Sequence, residues 1–270
     1  MNPSIERQWA LRPDRRLFRT AVSAVVLVLF LWSATAVSMQ KTQQSGLTIA
    51  QNILLGILHP DMSLILNLTT QGIPFLLLET VCIAFLGTVV GSILAIPLSF
   101  LSATNMVPKF VALIGRVLIM AIRTVPSLIY GLMFIRVTGP GPFAGLLTMS
   151  LCSIGMLSKM YIEAIEDLDT GILESLDAAG CTMFQKIRYG VLPQLIPNFF
   201  SIVLYRFDMN LRDASVLGLV GAGGIGAPLI FAMNSYRWNQ AGSVLLGLIV
   251  LVLAVELLSG KIRSRLTKGS

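Results

Sequence analysis

The stretch that decides the fold runs from Phe75 to Ser102 and is F-L-L-L-E-T-V-C-I-A-F-L-G-T-V-V-G-S-I-L-A-I-P-L-S-F-L-S. Its one charged side chain is that of Glu79. A transmembrane helix needs about 20 mostly apolar residues, so this stretch is long enough to cross a bilayer. The whole chain is as apolar as this stretch suggests. Hydrophobic residues make up 55% of it and charged residues 12%, whereas a typical soluble domain has about 25% charged residues. The composition predicts an all-α membrane protein.

Five further apolar stretches bring the predicted number of transmembrane helices to about six. Two of the six contain Pro97 or Pro126, so we expect a kink or a partial loop at each proline. The first stretch ends near Ala34-Thr35-Ala36, which resembles a signal-peptide cleavage site, although its length favours an uncleaved helix. Whether residues 1–36 are retained stays open. The five stretches are Ala21–Ser38, Phe110–Val137, Gly141–Tyr161, Leu195–Leu219 and Ala241–Leu258.

The net charge of +7 comes from basic residues at the two chain ends rather than from one stripe. This distribution does not favour nucleic acid as a partner and is typical of the cytoplasmic flanks of a membrane protein. It predicts a cytoplasmic N-terminus over residues 1–20, one transmembrane domain over residues 21–258 and a cytoplasmic tail over residues 259–270. The charged loop 162–194 is then cytoplasmic too. The cysteines are scattered and His59 is alone, so no metal site is predicted.

A glycine run, V-G-A-G-G-I-G, extends from Val220 to Gly226 and contains the pattern G-x-G-x-x-G. A dinucleotide site needs a strand before this pattern and an acid about 20 residues after it, whereas a predicted membrane helix precedes it here and Leu246 stands at the acidic position. Cofactor binding is therefore not predicted. We expect the glycines to let the backbone leave the helix and reverse, as the wall or gate of a pathway or as a close-packed turn without a transport role. The glycines concerned are Gly221, Gly223, Gly224 and Gly226.

The cytoplasmic loop contains E-S-L-D-A-A-G-C-T-M-F-Q-K-I-R-Y-G-V-L-P, Glu174 to Pro193. Residues 172–179 favour a helix, Gly180 breaks it, and Cys181–Tyr189 can form a second short helix before Pro193 opens the next span. Two short helices joined at a glycine predict a protruding elbow that fits a groove on a partner. The alternative is a solvated loop without a partner.

This loop resembles the coupling motif of the permeases of ATP-binding-cassette (ABC) importers, E-A-A-x-x-x-G followed by I-x-L-P. Ser175 and Leu176 replace the two alanines of the motif, and Gly190 stands at the isoleucine position. The resemblance implies that a short cytoplasmic coupling helix passes motion between the permease and an ATPase. The residues expected to take part are Glu174, Asp177, Ala178, Ala179, Gly180, Leu192 and Pro193.

Longer stretches are similar to permeases for phosphonates and related phosphorus oxyanions such as phosphite, hypophosphite and phosphate. They are Leu78–Gly91, Gly139–Gly145, Tyr189–Gln194 and, most specifically, Leu204–Gly226. The resemblance runs from about residue 60 to the end of the chain, with Asp208 where a glutamate is expected. Permeases for methionine are the near alternative.

The resemblance implies a type I ABC importer permease in a bacterial inner membrane, with both termini cytoplasmic. Its implied partners are a second copy of this chain, two copies of an ATPase that bind ATP and Mg²⁺, and an extracytoplasmic binding protein. The resemblance also implies transport by alternating access. This chain lacks a P-loop, since Ser259-Gly260-Lys261 has no upstream glycine and no following Ser or Thr, so we predict neither a cofactor nor an enzymatic activity for it. An ion-coupled secondary transporter is less favoured, because the spans show no inverted halves.

The fifth apolar stretch carries five polar or charged residues, which are costly in a membrane and generally face protein or a cavity. Asp208 and Arg212 are four residues apart and can pair. The positive charge of Arg206 then needs another partner, which can be Glu79, a group of a second subunit or an anion. Arg123, just before Pro126, is expected either to line the cavity or to reach the outer headgroups. The residues predicted for the pathway are Arg123, Pro126, Arg206, Asn210 and Arg212, with the glycine run; those predicted to pair charges in the membrane are Glu79, Asp208 and Asp213.

Overall fold

The computed structural model of the chain describes residues 16–36 and 46–268. Residues 1–15 of the predicted cytoplasmic N-terminus, residues 37–45 and the last two residues of the tail lie outside the described part. The chain falls into two compact units, Met1–Ile49 and Ala50–Ser270. Within the described ranges every regular element is a helix. By length and composition five of the helices can cross a membrane, or up to six if one bent pair counts as a span.

The first unit contains helix α1, Arg16–Ala36, whose segment Leu17–Thr35 is apolar enough to cross a membrane. A second helix, α2, covers Gly46–Leu58 and continues from the first unit into the second, which begins at Ala50. It ends where His59 and Pro60 follow, as expected from a proline that cannot continue a helix. A single turn, α3, covers Met62–Ile65 and is capped by the side chain of Asp61.

The remaining elements form the helical bundle that carries the candidate site. They are α4 (Ile73–Phe100), α5 (Lys109–Thr124), α6 (Ser127–Thr138), α7 (Pro142–Glu166), α8 (Thr170–Ala178), α9 (Met183–Lys186), α10 (Leu192–Gly218), α11 (Gly226–Asn234) and α12 (Trp238–Lys268).

Helices α4 and α7 form the centre of the bundle and run parallel to each other. Gly87 of α4 lies on Met149 of α7, and one turn further along both helices Gly91 lies on Ser153. A Cβ atom on Gly91 would also approach the Ser150 carbonyl oxygen to 2.9 Å. Small residues allow this close approach of two backbones, which membrane helices use because apolar side chains gain little by leaving lipid. The spacing G-x-x-x-G therefore sets the helix contact.

The parallel arrangement fixes how the chain crosses the bundle. Because α4 and α7 run in the same direction, the bent pair α5–α6 must return the chain between them. Helix α10 then runs antiparallel to α7: Tyr161 stacks on Phe199 with ring centroids 4.0 Å apart, whereas Gly131 and Thr148, near the other end, lie close to Leu217. Helix α12 starts beside α4, where Gly247 faces Ile73.

These directions give the bundle two distinct ends. The elbow end is where α4 and α7 finish and where α8 and α9 lie; the glycine end is where α4 and α7 begin and where Gly221–Gly226 lies. Helix α12 runs antiparallel to α10 and so leads towards the elbow end, since Glu256 lies near Arg212 and the following Ser259 and Gly260 line the same cleft as Leu204. The loop and the tail are therefore on one side of the bundle and the glycine run is on the other, as the charge pattern predicts.

The two prolines behave differently from each other. Helix α4 continues through Pro97 to Phe100, so the expected partial loop is absent there; Pro97 lies only one turn from the helix end. At Pro126 the chain bends by 82° between α5 and α6. A proline removes the hydrogen bond to the carbonyl four residues earlier, here that of Ile122. The hydroxyl of Tyr130 donates to this carbonyl oxygen at 3.0 Å, so the break is stabilised by a side chain.

Substitution of Gly91 by alanine tests the α4–α7 contact. We expect Gly91→Ala to lower the free energy of unfolding by about 1–3 kcal/mol, because the added methyl group overpacks the interface. Gly260→Ala is the matched control: it lies in α12 with no atom within 4 Å of an added Cβ, and alanine in an open helix position stabilises by up to about 1 kcal/mol. Thermal unfolding in detergent measures both. Equal stability of the two variants would contradict the packing described.

Candidate functional site

The first arm of the elbow is α8, which begins and ends with well-defined caps. The Asp169 side chain accepts a hydrogen bond from the Gly171 amide at 2.9 Å, as an N-cap does. At the other end Gly180 adopts φ +73°, and the Cys181 amide donates to the Leu176 carbonyl oxygen at 3.0 Å. This is a Schellman cap, which favours glycine because of the left-handed conformation. The predicted break at Gly180 is therefore present, with this cause.

The second arm begins with a capping box that the sequence analysis missed. The Thr182 amide donates to Gln185 Oε1 at 2.8 Å, and the Gln185 amide donates to Thr182 Oγ1 at 3.4 Å. The spacing T-x-x-Q is a recognised signal for a helix start and would have placed the second helix correctly. Lys186 forms an ion pair with Asp177 across the bend, so the two arms are tied to each other.

The predicted separate helix Cys181–Tyr189 is wrong at its C-terminal end. Helix α9 continues through one π turn, Ile187–Val191, directly into α10. Pro193 cannot donate to the Tyr189 carbonyl, and the helix widens just before it so that the Leu192 amide bonds the Ile187 carbonyl instead;. The second arm is thus the protruding start of a membrane-spanning helix, and the segment Phe184–Gly218 is apolar enough to be that span.

One further residue joins the elbow to the bundle. Gln194 accepts a hydrogen bond from the Asp169 amide at 3.2 Å and donates to the Gly190 carbonyl oxygen at 2.9 Å. Gln194 thereby connects the start of α8 with the start of α10. The sequence analysis quoted this residue only as part of a resemblance, and a single glutamine in an apolar context gives no signal for such a link.

The outer surface of the elbow is exposed and partly apolar. Phe184 is 70% exposed and Tyr189 is 65% exposed. The residues predicted to take part in coupling are also exposed, namely Glu174, Asp177, Ala178, Ala179, Gly180, Leu192 and Pro193. The structure brings these residues to one end of the bundle, on the two arms of the elbow. Their role in coupling stays a prediction.

A buried polar cluster lies between α4, α7 and α10. Asn210, with no exposed surface, donates to Thr88 Oγ1 at 2.8 Å and to Ser153 Oγ at 2.7 Å. Arg206, which is 4% exposed, donates from Nε to the same Ser153 Oγ at 3.2 Å and from a terminal nitrogen to Met156 Sδ at 3.1 Å. Ser153 is therefore the shared acceptor that joins α10 to α7.

This burial bears on the predicted pathway role of Arg206 and Asn210. Both side chains are enclosed by helices of their own chain, so a passing solute would meet them only after these helices separate. Within the described residues no carboxylate lies within ion-pair distance of Arg206, although Asp213 is near enough to interact with it electrostatically. An unpaired buried guanidinium is unfavourable, so Arg206 depends on the neutral acceptors around it. The pathway role stays a prediction.

Glu79, which the sequence predicts to pair with a charge in the membrane, bonds a backbone amide within the described residues, and its pairing with a charge stays a prediction. Its carboxylate oxygen Oε1 accepts a hydrogen bond from the Gly224 amide at 3.1 Å, and the neighbouring Thr80 Oγ1 accepts from the Ile225 amide at 3.0 Å. Both acceptors are at the glycine end, on α4. Asp213, which is also predicted to pair, has no ion-pair partner in the part of the chain that the structure describes.

The glycine run forms the turn between α10 and α11. Gly221, Gly223 and Gly224 have φ values of +96°, +82° and +73°, which other residues rarely adopt. Gly226 has an ordinary φ but lies against the Ser215 carbonyl, where a Cβ would not fit. Backbone reversal and close packing, the two physical explanations offered from the sequence, therefore both occur. The amides of this turn bond to α4, as described for Glu79, so the turn is held against the bundle.

The ion pair expected between Asp208 and Arg212 is present at 2.8 Å. Arg212 also approaches Glu256 of α12 to 3.5 Å, a partner that sequence spacing does not reveal because it lies on another helix. These residues line a cleft of about 240 Å³ between α10 and α12. Asp208 Oδ1 is buried without a hydrogen-bond partner among the described residues. Arg123, in contrast, lines a cleft beside α7 together with residues near the elbow end. Its placement in the pathway stays a prediction.

A family of transport proteins matches this arrangement. Residues 87–263 match the model of the family described as the inner membrane component of binding-protein-dependent transport systems. The chain belongs to this family. The matched region contains α7, the elbow, α10, the glycine turn and most of α12, and it is the region that holds the polar cluster.

Individual relatives extend the match over the remaining residues. The transport system permease protein HtxC of Stutzerimonas stutzeri is 32% identical over 264 residues, 97% of this chain and 91% of HtxC. The phosphite transport system permease protein PtxC of the same species is 36% identical over 188 residues, 69% of this chain and 68% of PtxC. The family and these relatives agree with the resemblance to permeases for phosphorus oxyanions.

A solved structure has the same fold. A chain of the MetNI methionine ABC transporter in an inward-facing conformation superposes with a TM-score of 0.60 over 70% of this permease and 94% of that chain, at 20% identity. This identity supports the fold alone. The permease therefore has the type I ABC importer fold, as the sequence predicts.

Removal of the shared acceptor Ser153 tests the buried cluster. Ser153→Ala leaves two buried donors, on Arg206 and Asn210, without this partner, and we expect the free energy of unfolding to fall by about 1–3 kcal/mol. The control is Ser150→Ala on the same helix, because the Ser150 hydroxyl donates only to the Leu146 carbonyl one turn earlier; its effect is expected to stay within about 0.5 kcal/mol. Denaturation in detergent measures both, and a Ser153→Ala variant as stable as Ser150→Ala would contradict the role assigned to Ser153.

Proposed function

We propose that this permease is the membrane-spanning subunit of an ATP-driven importer for phosphonate or a related phosphorus oxyanion such as phosphite, hypophosphite or phosphate. The observation that carries the substrate class is the 36% identity to the phosphite transport system permease PtxC over 69% of this chain. The likeness to the methionine transporter, at 20% identity, supports the fold and gives no comparable support for methionine.

The proposed assembly contains two copies of this chain, two copies of a cytoplasmic ATPase that bind ATP and Mg²⁺, and an extracytoplasmic binding protein. The exposed apolar side chains of the elbow, Phe184 and Tyr189, support an ATPase groove as the docking surface. The family is described as the inner membrane component of binding-protein-dependent transport systems, so a permease of this family works with a binding protein. The copy number rests on the resemblance alone.

The proposed orientation puts the elbow end in the cytoplasm and the glycine end outside. The basic tail shares the elbow end with Lys109 and Arg116 of α5, and cytoplasmic segments of membrane proteins carry an excess of Lys and Arg. Both termini are then cytoplasmic. The glycine turn is a candidate outer gate, because its backbone amides rest on two side chains of α4, those of Glu79 and Thr80.

The proposed mechanism is alternating access driven through the elbow. ATP closes the ATPase pair, and the bound elbow moves with it. The elbow transmits this motion because its arms are joined by the Lys186–Asp177 ion pair, because its second arm is continuous with α10, and because Gln194 holds the first arm to α10. Helix α10 in turn bonds to α4 and α7 through Asn210. A movement of the elbow therefore reaches the centre of the bundle.

Reconstitution tests the substrate class. The permease, its neighbouring ATPase and the binding protein are placed in liposomes, and ATP hydrolysis and uptake are measured with phosphite, methylphosphonate, phosphate and methionine at equal concentration. We expect at least one phosphorus oxyanion to stimulate ATP hydrolysis several-fold and to accumulate inside, while methionine does neither. Stimulation by methionine alone would favour the methionine alternative, and uptake without the ATPase would overturn the ATP-driven mechanism.

Substitutions at Gly180 test the elbow. Gly180→Pro requires φ near −65° where the structure has +73°, so we expect uptake to fall at least tenfold while the variant still inserts into the membrane and the ATPase still hydrolyses ATP. Gly180→Asn is the matched variant: a Cβ at this position has no atom within 4 Å, and asparagine tolerates the left-handed conformation. Its uptake is expected to stay within about threefold of wild type, about 0.6 kcal/mol. Normal uptake by Gly180→Pro would contradict the coupling role of the bend.

A further inference from the structure

A cleft of about 220 Å³ lies between α5 and α7, and the proposed transport mechanism does not use it. Its lining combines apolar groups with charges of both signs. The apolar groups favour a ligand with a hydrocarbon part, while the charges select among polar groups. The lining residues are Arg116, Ile119, Met120, Arg123, Lys159, Ile162, Glu163 and Glu166.

Both carboxylates of the cleft are already matched by cations. Arg116 lies 2.5 Å from Glu166, and the same Glu166 oxygen accepts hydrogen bonds from the Thr104 amide at 2.7 Å and from the Thr104 hydroxyl at 2.5 Å. Lys159 lies 3.4 Å from Glu163. Arg123 is the remaining cation of the lining, and no carboxylate among the described residues lies within ion-pair distance of it. The cleft therefore carries one positive charge in excess, on Arg123.

Neighbouring residues determine the position of the Arg123 side chain. It stands in the last turn of α5, beside the break at Pro126 where Tyr130 bonds the freed Ile122 carbonyl. On the facing helix, a Cβ on Gly155 would lie 2.8 Å from Arg123 Cγ and 3.1 Å from Ile122 Cγ2. The absence of a side chain at Gly155 makes room for the stem of the arginine.

Arg123 is exposed in the described chain, and its stem lies against Gly155 of α7. Gly155 is about 20 Å along α7 from Pro142 at 1.5 Å per residue, inside a helix that is apolar and long enough to cross a membrane. Charged side chains within such helices generally pair or face a watery cavity. The cleft leads from Arg123 to Lys159 and Glu163, which are one and two turns nearer the elbow end. A ligand entering from that end would reach Arg123.

We propose that this cleft binds a phosphoryl group, held by the guanidinium of Arg123 with Lys159 at its entrance. Guanidinium groups match phosphate geometry with paired donors, and basic pockets between membrane helices bind phospholipid headgroups near the cytoplasmic surface. The phosphoryl group belongs either to the headgroup of an anionic lipid, whose hydrocarbon part would contact Ile119, Met120 and Ile162, or to a free phosphate. The site does not rest on the identity of the transported substrate.

Binding to the full-length chain, purified alone in detergent, tests the proposal without the ATPase or the binding protein. Microscale thermophoresis measures affinity for phosphatidylglycerol against phosphatidylcholine in mixed micelles and, separately, for inorganic phosphate against chloride at equal ionic strength. Binding of phosphatidylglycerol but not of phosphate identifies a lipid headgroup site, and binding of phosphate identifies a free-anion site. If neither ligand binds more tightly than its control, the proposal is overturned.

Three variants locate the binding. Arg123→Gln removes the charge, and Gly155→Val fills the space of the arginine stem while keeping the charge; each is expected to weaken binding at least tenfold. Arg136→Gln is the matched control, since Arg136 also stands in the last turn of its helix, α6, and does not line the cleft; its affinity should stay within twofold of wild type. Should Arg123→Gln fail to fold, Gly155→Val decides alone. Unchanged binding in the deciding variant, or an equal loss in Arg136→Gln, would overturn the assignment.

Discussion

The close parallel contact of α4 with α7 is the constraint on which the rest of the structure depends. Gly87 and Gly91 let the two backbones approach, and the polar groups that face each other across this contact, Thr88 and Ser153, then become the acceptors for Asn210 of α10. Without the two glycines, α10 would have no buried site for its polar side chains. The contact therefore determines the positions of three membrane helices together.

The same contact lies between the two ends of the bundle, and these ends differ in structure. At the elbow end, local caps and the Lys186–Asp177 ion pair make the two arms one element, which continues into α10. At the glycine end, the turn after α10 rests on α4 through Glu79 and Thr80. Helix α10 thus connects the elbow to the turn at the opposite end of the bundle, and a rigid-body shift of α10 would affect both ends. In the proposed importer, this shift of α10 is the motion that couples the elbow to the glycine turn.

The sequence was sufficient for features that depend on local chemistry. Apolar length predicts the spans, Gly180 predicts the bend through its left-handed conformation, Pro126 predicts the break between α5 and α6, and the four-residue spacing predicts the Asp208–Arg212 pair. It was insufficient where the partner is distant in sequence. The bond from Gly224 to Glu79 crosses the bundle, Arg206 is satisfied by a serine and a methionine that carry no charge signal, and Glu256 reaches Arg212 from another helix. At Pro97 the expected partial loop is absent, because this proline lies only one turn from the end of α4.

The central claim is that the elbow faces the cytoplasm and meets an ATPase there, while the glycine turn faces the opposite side. In a background without native cysteines, Ser175→Cys on α8 and Asn234→Cys on α11 are labelled with a membrane-impermeant maleimide in right-side-out and inside-out vesicles, with and without the ATPase. The account predicts that position 175 reacts only in inside-out vesicles and is protected by the ATPase, and that position 234 reacts only in right-side-out vesicles. Labelling of position 175 from outside, or no protection by the ATPase, would contradict it.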